Sequence, residues 1–286
     1  MDDKQISRRA MMSVAAVTAA GAAAAAASPL AAQVAGQSAD ARPGAGKAAI
    51  VTGSSRGIGA AIARRLARDG YAVTVNCLAN RQLAAGVVRD IEAAGGRAIF
   101  RQGDVADPRA VKALFDANQE AFGGVDVVVN NAGIMRIAPF AEMTDADFDR
   151  MIDTNLKGGF NTLREAARRI RDDGSIISLS SSITLLKTEA YGPYAATKAA
   201  NEMYSGALAK ELGPKRVSVN AIAPGMVNTT LFTDGKTPQQ IQGFVQRTPF
   251  KRLAEPEDIA NTVASLVSRD GHWVTGQLII ANGGIV

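Results

Sequence analysis

From Lys47 to the C-terminus, short apolar runs alternate with stretches in which apolar residues recur every three or four positions. Near-continuous apolar runs are typical of parallel strands that helices cover on both faces. The runs that predict about seven strands are 48–52, 72–76, 98–101, 125–129, 175–180, 217–222 and 278–281. Between them, the spacing predicts crossover helices whose buried faces carry Ile58, Ile62 and Leu66, then Leu83, Val87 and Ile91, then Val111, Leu114, Phe115 and Phe122.

Strands that alternate with helices in this way predict an α/β fold, a Rossmann-like doubly wound parallel sheet with helices on both faces. Ligands of such sheets bind beyond the carboxyl ends of the strands, so residues that follow strands are the first candidates for a site. The chain shows no internal repeat and no second core pattern. Residues 47–286 are therefore predicted to form a single domain.

The N-terminal residues follow a different pattern. Ser7, Arg8 and Arg9 precede a nearly uncharged, alanine-rich run over 10–35. This layout is that of an export signal, and the paired arginines resemble the twin-arginine type, which carries folded proteins. We interpret 1–35 as a signal for export to the periplasm, followed by a linker over 36–46. The alternative is an alanine-rich extension or an uncleaved anchor on a cytoplasmic protein, although polar and glycine interruptions disfavour a stable membrane span.

Composition removes several classes of function. Hydrophobic residues make up 47% of the chain and charged residues 21%, which is typical of a globular protein. The single cysteine, Cys77, excludes an internal disulfide and a thiolate zinc cluster, and the single histidine, His272, disfavours a histidine-based triad or metal site. The net charge of +5 is spread along the chain, so nucleic-acid binding is not predicted.

A glycine-rich segment follows the first predicted strand and runs directly into the first predicted helix. It spans 52–59 and reads Thr-Gly-Ser-Ser-Arg-Gly-Ile-Gly. Glycines permit a tight turn and a close backbone approach, and a helix N-terminus attracts a pyrophosphate through its free N–H groups and its dipole. A plain helix start would explain the glycines alone, but the position between strand and helix favours a dinucleotide site.

The second predicted strand lacks the acidic residue that would bind the ribose 2′-hydroxyl of NAD at its end. The segment 75–81 reads Val-Asn-Cys-Leu-Ala-Asn-Arg and contains no carboxylate. Arg56 and Arg81 could pair with a 2′-phosphate, unless both are ordinary surface charges. The charge pattern therefore favours NADPH/NADP+ over NADH.

Tyr194 and Lys198 stand four residues apart at the start of a predicted helix, so both project from one helix face. A phenol has an ordinary pKa near ~10, and a nearby ammonium group favours the phenolate, which makes the tyrosine a usable acid or base. A tyrosine and a lysine at this spacing also occur as a plain surface pair. Ser181, at the end of the fifth predicted strand, supplies a hydroxyl that could donate to a substrate carbonyl.

Three further motifs accompany this set. Asn130–Gly133 follows the fourth predicted strand, Asn155 lies in a Thr-Asn-Leu-Lys-Gly segment, and Pro224-Gly225 follows the sixth predicted strand. With the glycine-rich segment and the serine, tyrosine and lysine, they stand in the order and spacing of one family. From Lys47 onward the chain resembles a short-chain dehydrogenase/reductase, closest to the 3-oxoacyl-carrier-protein reductase-like branch.

The resemblance implies a catalytic set of Ser181, Tyr194, Lys198 and Asn155. Tyr194 would give a proton to the substrate carbonyl and Ser181 would orient the substrate. Lys198 would hold the nicotinamide ribose and lower the tyrosine pKa, and Asn155 would retain a water in the proton relay. The family also implies a homotetramer or homodimer.

The cofactor site is predicted from the glycine-rich segment, from the strand ends and from the resemblance. The resemblance implies that Asp104 and Val105 flank the adenine, and Thr229 resembles the residue that contacts the nicotinamide amide. The predicted cofactor-binding residues are Gly53, Ser55, Arg56, Gly57, Ile58, Gly59, Asn76, Asp104, Val105, Asn131, Ala132, Gly133, Tyr194, Lys198, Pro224, Gly225, Val227 and Thr229.

The predicted function is hydride transfer between NADPH and a carbonyl compound, with Tyr194 as the acid or base and a secondary alcohol as the reduced product. The alternative is a non-catalytic scaffold of the same fold, which the complete catalytic set disfavours. The segment 226–250 carries Leu231, Phe232 and Phe244 among few charges, which predicts a lid over a mostly apolar small-molecule substrate. No metal site is predicted.

Overall fold

The computed structural model describes residues 42–286, so the predicted export signal lies outside the described residues and stays a prediction. The predicted linker over 36–46 stays a prediction, and its last residues, 42–46, form a turn at the start of the described domain. The Gly44 N–H donates to the Asp69 carbonyl oxygen at 2.9 Å. A Cβ at Gly44 would lie 2.2 Å from the Tyr71 ring, so the turn packs closely on the domain.

Seven parallel strands form one sheet in the order β3-β2-β1-β4-β5-β6-β7. The strands are β1 Ala48–Val51, β2 Ala72–Cys77, β3 Arg97–Gln102, β4 Val125–Asn130, β5 Ile170–Leu179, β6 Ser218–Pro224 and β7 Leu278–Ala281. Because β1 pairs with both β2 and β4, the strand order reverses beside β1 and opens a crevice at the carboxyl ends. The predicted doubly wound parallel sheet is confirmed.

Helices cover both faces of the sheet. They are α1 Gly57–Arg68, α2 Arg81–Ala93, α3 Pro108–Phe122, α4 Asp145–Met151, α5 Gly158–Arg169, α6 Ile183–Leu186, α7 Gly192–Glu211, α8 Thr230–Thr233, α9 Pro238–Arg247 and α10 Pro256–Val267. A π-helical turn, Ile152–Lys157, joins α4 to α5, and a 3-10 turn, Gly213–Lys215, follows α7. None of the helices within 42–286 is long and apolar enough to cross a membrane.

The core consists of one apolar layer on each face of the sheet. Helices α1, α2 and α10 pack on one face, where Ile62 is fully buried, and α3, α5 and α7 pack on the other, where Phe115 is 1% exposed. Successive side chains of β1 enter different layers, since Val51 joins the first and Ile50 the second. This burial on both sides accounts for the near-continuous apolar strands.

The predicted buried face of α2 is wrong at one position. Leu83 is 50% exposed, whereas Ala84, Val87 and Ile91 are buried. With 3.6 residues per turn, positions three and four residues apart share one face of a helix, so Ala84, Val87 and Ile91 lie together on the buried face. Leucine is more hydrophobic than alanine, so hydropathy alone selects Leu83 instead of Ala84.

The start of β5 is also corrected. The strand begins at Ile170 instead of residue 175, because Ile170 pairs with Val125 before the register shifts. The intervening residues, 171–173, are charged and exposed. The sheet is exposed to solvent at this end, so these strand residues are charged and the hydrophobic pattern does not indicate where the strand starts.

Candidate active site

Glycines shape the loop 52–56 between β1 and α1, where the sequence predicts a phosphate site. Gly53 has a φ of +62°, and a Cβ there would lie 2.8 Å from the Ala132 Cα. A Cβ at Gly59 would lie 2.6 Å from the Gly53 carbonyl oxygen, so the first turn of α1 packs directly on the loop. Within the described chain no side chain caps the N-terminus of α1, which leaves backbone N–H groups available to an anion. The cradle therefore fits a dinucleotide pyrophosphate.

The side chain of Asn76, a predicted cofactor-binding residue, is hydrogen-bonded to other parts of the protein. Its Oδ1 accepts from the Gly53 N–H at 3.2 Å, and its Nδ2 donates to the carbonyl oxygens of Arg101 and Gly103 at 3.2 and 3.1 Å. The residue is only 2% exposed. Asn76 therefore holds the phosphate loop against β2 and β3, and its side chain supports a cofactor site without facing it.

Thr52 and Asn131 join the phosphate loop to the end of β4. Asn131 Nδ2 donates to the carbonyl oxygens of Thr52 and Gly53 at 2.8 and 3.0 Å. In return, Thr52 Oγ1 accepts from the backbone N–H groups of Asn131 and Ala132 at 3.0 and 3.1 Å. These four hydrogen bonds fix the crevice where the strand order reverses, and Asn131 and Gly133 line its cavity.

Tyr194 and Lys198 lie on adjacent turns of α7 and are buried, with 7% and 5% of each residue exposed. Lys198 Nζ donates to the Leu179 carbonyl oxygen at 2.9 Å and lies 5.8 Å from the centroid of the Tyr194 ring. A Cβ at Gly133 would be 3.3 Å from Nζ, so the missing side chain of Gly133 makes room for the ammonium group. The predicted pair is thus an interior pair and not a surface pair.

Burial moves the pKa values of both groups towards their uncharged forms. It raises the pKa of Tyr194 to about 12, and the neighbouring Ser181 hydroxyl partly offsets this increase. It lowers the pKa of the Lys198 ammonium to about 8. Desolvation is thus the largest influence on the phenol within the described chain, and the lowering of its pKa by Lys198 that the resemblance implies stays a prediction. At neutral pH the Tyr194 phenol therefore holds its proton.

Asn155 lies in the π-helical turn 152–157, an irregularity that often occurs at functional sites. Its Oδ1 accepts from the Ile134 N–H at 2.8 Å, while its Nδ2 donates to the Ile134 carbonyl oxygen at 2.8 Å and to Thr197 Oγ1 at 3.1 Å. Both amide protons are used, so the side chain ties the segment after β4 to α7. The role in retaining a water stays a prediction.

Ser181 is held by Glu202, a residue that the sequence analysis does not single out. The Glu202 carboxylate, one turn beyond Lys198 on α7, accepts hydrogen bonds from the hydroxyls of Ser180 and Thr184, the second at 2.9 Å. These two residues flank Ser181, so the carboxylate fixes the backbone that presents its hydroxyl. The only signal in the sequence is the four-residue spacing from Lys198, which places Glu202 on the same helix face.

The remaining predicted cofactor residues lie at strand ends or at the start of α1. Asp104 Oδ1 accepts from the Ala106 N–H at 2.9 Å, and Val105 is buried against Gly158 after β3. Ser55 is buried in the phosphate loop, whereas Arg56 and Arg81 are exposed. Further members of the set line the cavity beside Tyr194 and Lys198, called the main cavity below, namely Ile58, Pro224, Gly225, Val227 and Thr229.

The main cavity has a volume of about 360 Å³ and extends from Ile58 and Asn131, next to the loop 52–56, to Tyr194 on α7. Ser181, Tyr194 and Lys198 line it together with the loop after β6. The predicted lid segment, 226–250, contributes Phe232 on α8 and Phe244 on α9. These two rings meet edge to face with their centroids 5.3 Å apart, so the apolar wall over the site is a packed unit. The cavity therefore joins a proton donor to an apolar chamber beside the predicted phosphate loop.

Comparison with known proteins places this arrangement in a family. The family model described as Enoyl-(Acyl carrier protein) reductase matches residues 53–286. A "Short-chain type dehydrogenase/reductase" from Picea abies is 40% identical over 251 residues, which cover 84% of this chain and 93% of that protein. The chain belongs to the short-chain dehydrogenase/reductase family.

Two other similar short-chain dehydrogenases/reductases have named activities or ligands. The 3-oxoacyl-[acyl-carrier-protein] reductase FabG of Staphylococcus aureus is 39% identical over 241 residues, covering 84% of this chain and 98% of that protein. A short-chain dehydrogenase from Burkholderia cenocepacia, solved in complex with NADP, is 38% identical with a TM-score of 0.80, covering 85% of this chain and 99% of that one. The family and the fold of this oxidoreductase are therefore established.

Replacing Glu202 tests the support of Ser181. We expect Glu202→Leu to lower kcat/KM for a carbonyl substrate about tenfold, because the Ser180 and Thr184 hydroxyls lose the carboxylate oxygen that they share and the serine moves. Glu202→Gln keeps one amide oxygen as an acceptor, so it should restore most of the activity. Glu211→Leu on the same helix is the matched control. An unchanged kcat/KM in Glu202→Leu, or an equal loss of NADPH affinity, would contradict this role.

The buried ammonium of Lys198 predicts a pH-dependent cost in stability. The pKa falls from its ordinary 10.5 to about 8, so below pH 8 the native state carries a buried charge that costs about 3 kcal/mol. In Lys198→Met the Leu179 carbonyl oxygen loses its donor, which costs the variant about 1 kcal/mol. We therefore expect Lys198→Met to be about 2 kcal/mol more stable at pH 7.

This advantage of Lys198→Met should shrink between pH 8 and pH 10.5. In that window the unfolded wild-type chain holds more protons than the native chain, so wild-type stability rises with pH. Denaturant unfolding of both proteins across the window measures the difference, with Lys210→Met as the surface control. A stability gap that is constant with pH would show that Lys198 is not a buried cation.

Proposed function

We propose that this protein is an NADPH-dependent carbonyl reductase that converts a ketone or aldehyde to the corresponding alcohol. One observation carries the proposal: a buried Tyr194 and Lys198, with Ser181 beside them, line an apolar cavity that adjoins the glycine-shaped loop 52–56. A scaffold without turnover has no need to bury a lysine at a pKa of about 8 beside a tyrosine.

Tyr194, Ser181 and Lys198 each have a different role in the proposed carbonyl reduction. NADPH, when bound, supplies the hydride that becomes the new C–H bond of the product. The Tyr194 hydroxyl gives its proton to the carbonyl oxygen, so that hydride and proton together convert C=O to CH–OH. Ser181 donates a hydrogen bond to the same oxygen as negative charge develops on it. The Lys198 ammonium, fixed by Leu179, stabilises the tyrosinate that remains and holds the ribose of the cofactor.

The choice of NADPH rests on charge at the end of β2. No acidic residue lies between Val75 and Arg81, and the exposed guanidinium groups of Arg56 and Arg81 begin the two helices that follow β1 and β2. Guanidinium groups match a 2′-phosphate in charge and geometry. The NADP carried by the Burkholderia cenocepacia relative supports the same choice.

Tyr194→Phe tests the reaction. We expect it to lower kcat by at least about 100-fold, which is the usual contribution of a general acid, with NADPH affinity unchanged because the ring is kept. The assay follows NADPH oxidation with ketones, aldehydes, a 3-oxoacyl thioester and an enoyl thioester. Tyr191→Phe, which removes a hydroxyl from the same cavity, is the matched control. Full turnover by Tyr194→Phe, or reduction of the enoyl thioester alone, would contradict carbonyl reduction by this tyrosine.

Arg81→Ala tests the cofactor preference. Removing one partner of a 2′-phosphate should weaken the preference for NADPH over NADH about tenfold, because one charge-assisted hydrogen bond is lost. The loss should appear in the KM for NADPH while the KM for NADH stays the same. Arg89→Ala, further along α2, is the control for a general change in charge. A preference that does not move would refute the role of Arg81.

A further inference from the structure

The main cavity carries positive charge and no negative charge. Among the described residues, its ionisable lining consists of Tyr191, Tyr194, Lys198 and Arg247, and no carboxylate reaches it. Lys198 is committed to the Leu179 carbonyl oxygen and to the phenol. Of the two cations that line this cavity, Arg247 is therefore the one without an assigned role.

Arg247 lies at the mouth of the cavity. It is in the last turn of α9 and is shared, with Phe244, between the main cavity and an outer groove lined by Lys236, Gln240 and Gly243. Residues that line both spaces form the boundary between them. The guanidinium group thus marks the point where an apolar chamber opens to solvent.

The two cations at the mouth differ in their freedom to bind a ligand. Lys236 Nζ donates to the Phe232 carbonyl oxygen and lies 4.7 Å from the centroid of that ring, so it is used in holding α8. Arg247 makes no ion pair and no side-chain hydrogen bond within residues 42–286. Its five N–H donors are available to a planar anion.

We propose that Arg247 binds a carboxylate at the far end of the substrate, so that the preferred substrate is an oxo acid. This inference rests on the proposed carbonyl reduction and names its substrate class. The ketone would lie at Ser181 and Tyr194, the apolar body would lie against Leu186, Phe232 and Phe244, and the carboxylate would reach the mouth. A guanidinium group binds a carboxylate through two parallel hydrogen bonds, which makes the contact selective as well as attractive.

The simpler explanation is that Arg247 only complements the negative end of the α9 dipole. That role would stabilise the helix and would not distinguish one substrate from another. Lys210, which is exposed in the last turn of α7, has the same relation to its own helix and lines none of these cavities. Lys210→Gln is therefore the matched control for Arg247→Gln.

The experiment compares methyl-ketone fatty acids of increasing chain length, each beside its methyl ester. Wild-type protein should prefer the acid, with a preference that peaks at one chain length and weakens in high salt. Arg247→Gln should raise the KM for the acid about tenfold and leave kcat and the ester unchanged, while Lys210→Gln changes neither. An acid-to-ester ratio that is the same in wild type and Arg247→Gln would overturn the proposal.

A binding measurement separates this proposal from the proposed reaction. Calorimetry with the matching saturated fatty acid, in the presence of NADP+, needs no turnover. If no carbonyl is reduced but the fatty acid binds about tenfold more weakly to Arg247→Gln, the carboxylate site stands and the reductase assignment fails. If ketones and esters are reduced but fatty-acid binding is the same in both proteins, the reductase stands and the carboxylate site fails.

Discussion

Burial of the Lys198 ammonium group beside the Tyr194 phenol is the constraint on which the rest of the site depends. A charge with 5% of its residue exposed needs a fixed acceptor, and the Leu179 carbonyl oxygen at the end of β5 is the one that the fold provides. The same burial keeps the tyrosine protonated at neutral pH. Stability is lost at Lys198 while a protonated phenol and a cation face one cavity, and such a loss is common at functional sites.

The surroundings of this pair follow from it. Gly133 has no side chain because one would contact the ammonium group, and Asn155 anchors the adjoining Ile134 to α7. At the reversal in strand order, Thr52 and Asn131 close the junction between β1 and β4. A rigid floor of hydrogen-bonded strand ends thus presents the phosphate loop and the proton donor to one space, while α8 and α9 cover it.

Sequence reasoning succeeds where a property is local and repeated. Strand runs such as 48–51 are apolar on both faces, so their hydropathy alone predicts the central strands. The charged start of β5 at 171–173 gives no such signal. The Ser181, Tyr194 and Lys198 set is predicted because its spacing is specific. That the three residues share one buried cavity, however, is known only from the fold.

Sequence reasoning does not reveal contacts that are made by partners distant in the chain. Asn76 stands at a strand end where a cofactor contact is expected, yet its amide is used by the backbone of Gly53 and Gly103, which lie in other segments. Glu202 is an ordinary acidic residue of a helix until Ser180 and Thr184 are brought against it. No local sequence pattern indicates either set of hydrogen bonds, because each set depends on which strand ends lie side by side at the carboxyl edge of the sheet.

The most direct test is an ultraviolet titration of tyrosine ionisation in wild-type protein and in Tyr194→Phe, with and without NADP+. The difference between the two proteins isolates the Tyr194 phenol. The account predicts a pKa of about 12 without cofactor, raised by burial, and a clear decrease when NADP+, whose nicotinamide carries a positive charge, is added. A phenol that titrates near its ordinary value without NADP+, or one that NADP+ does not shift, would contradict a buried, cofactor-responsive proton donor.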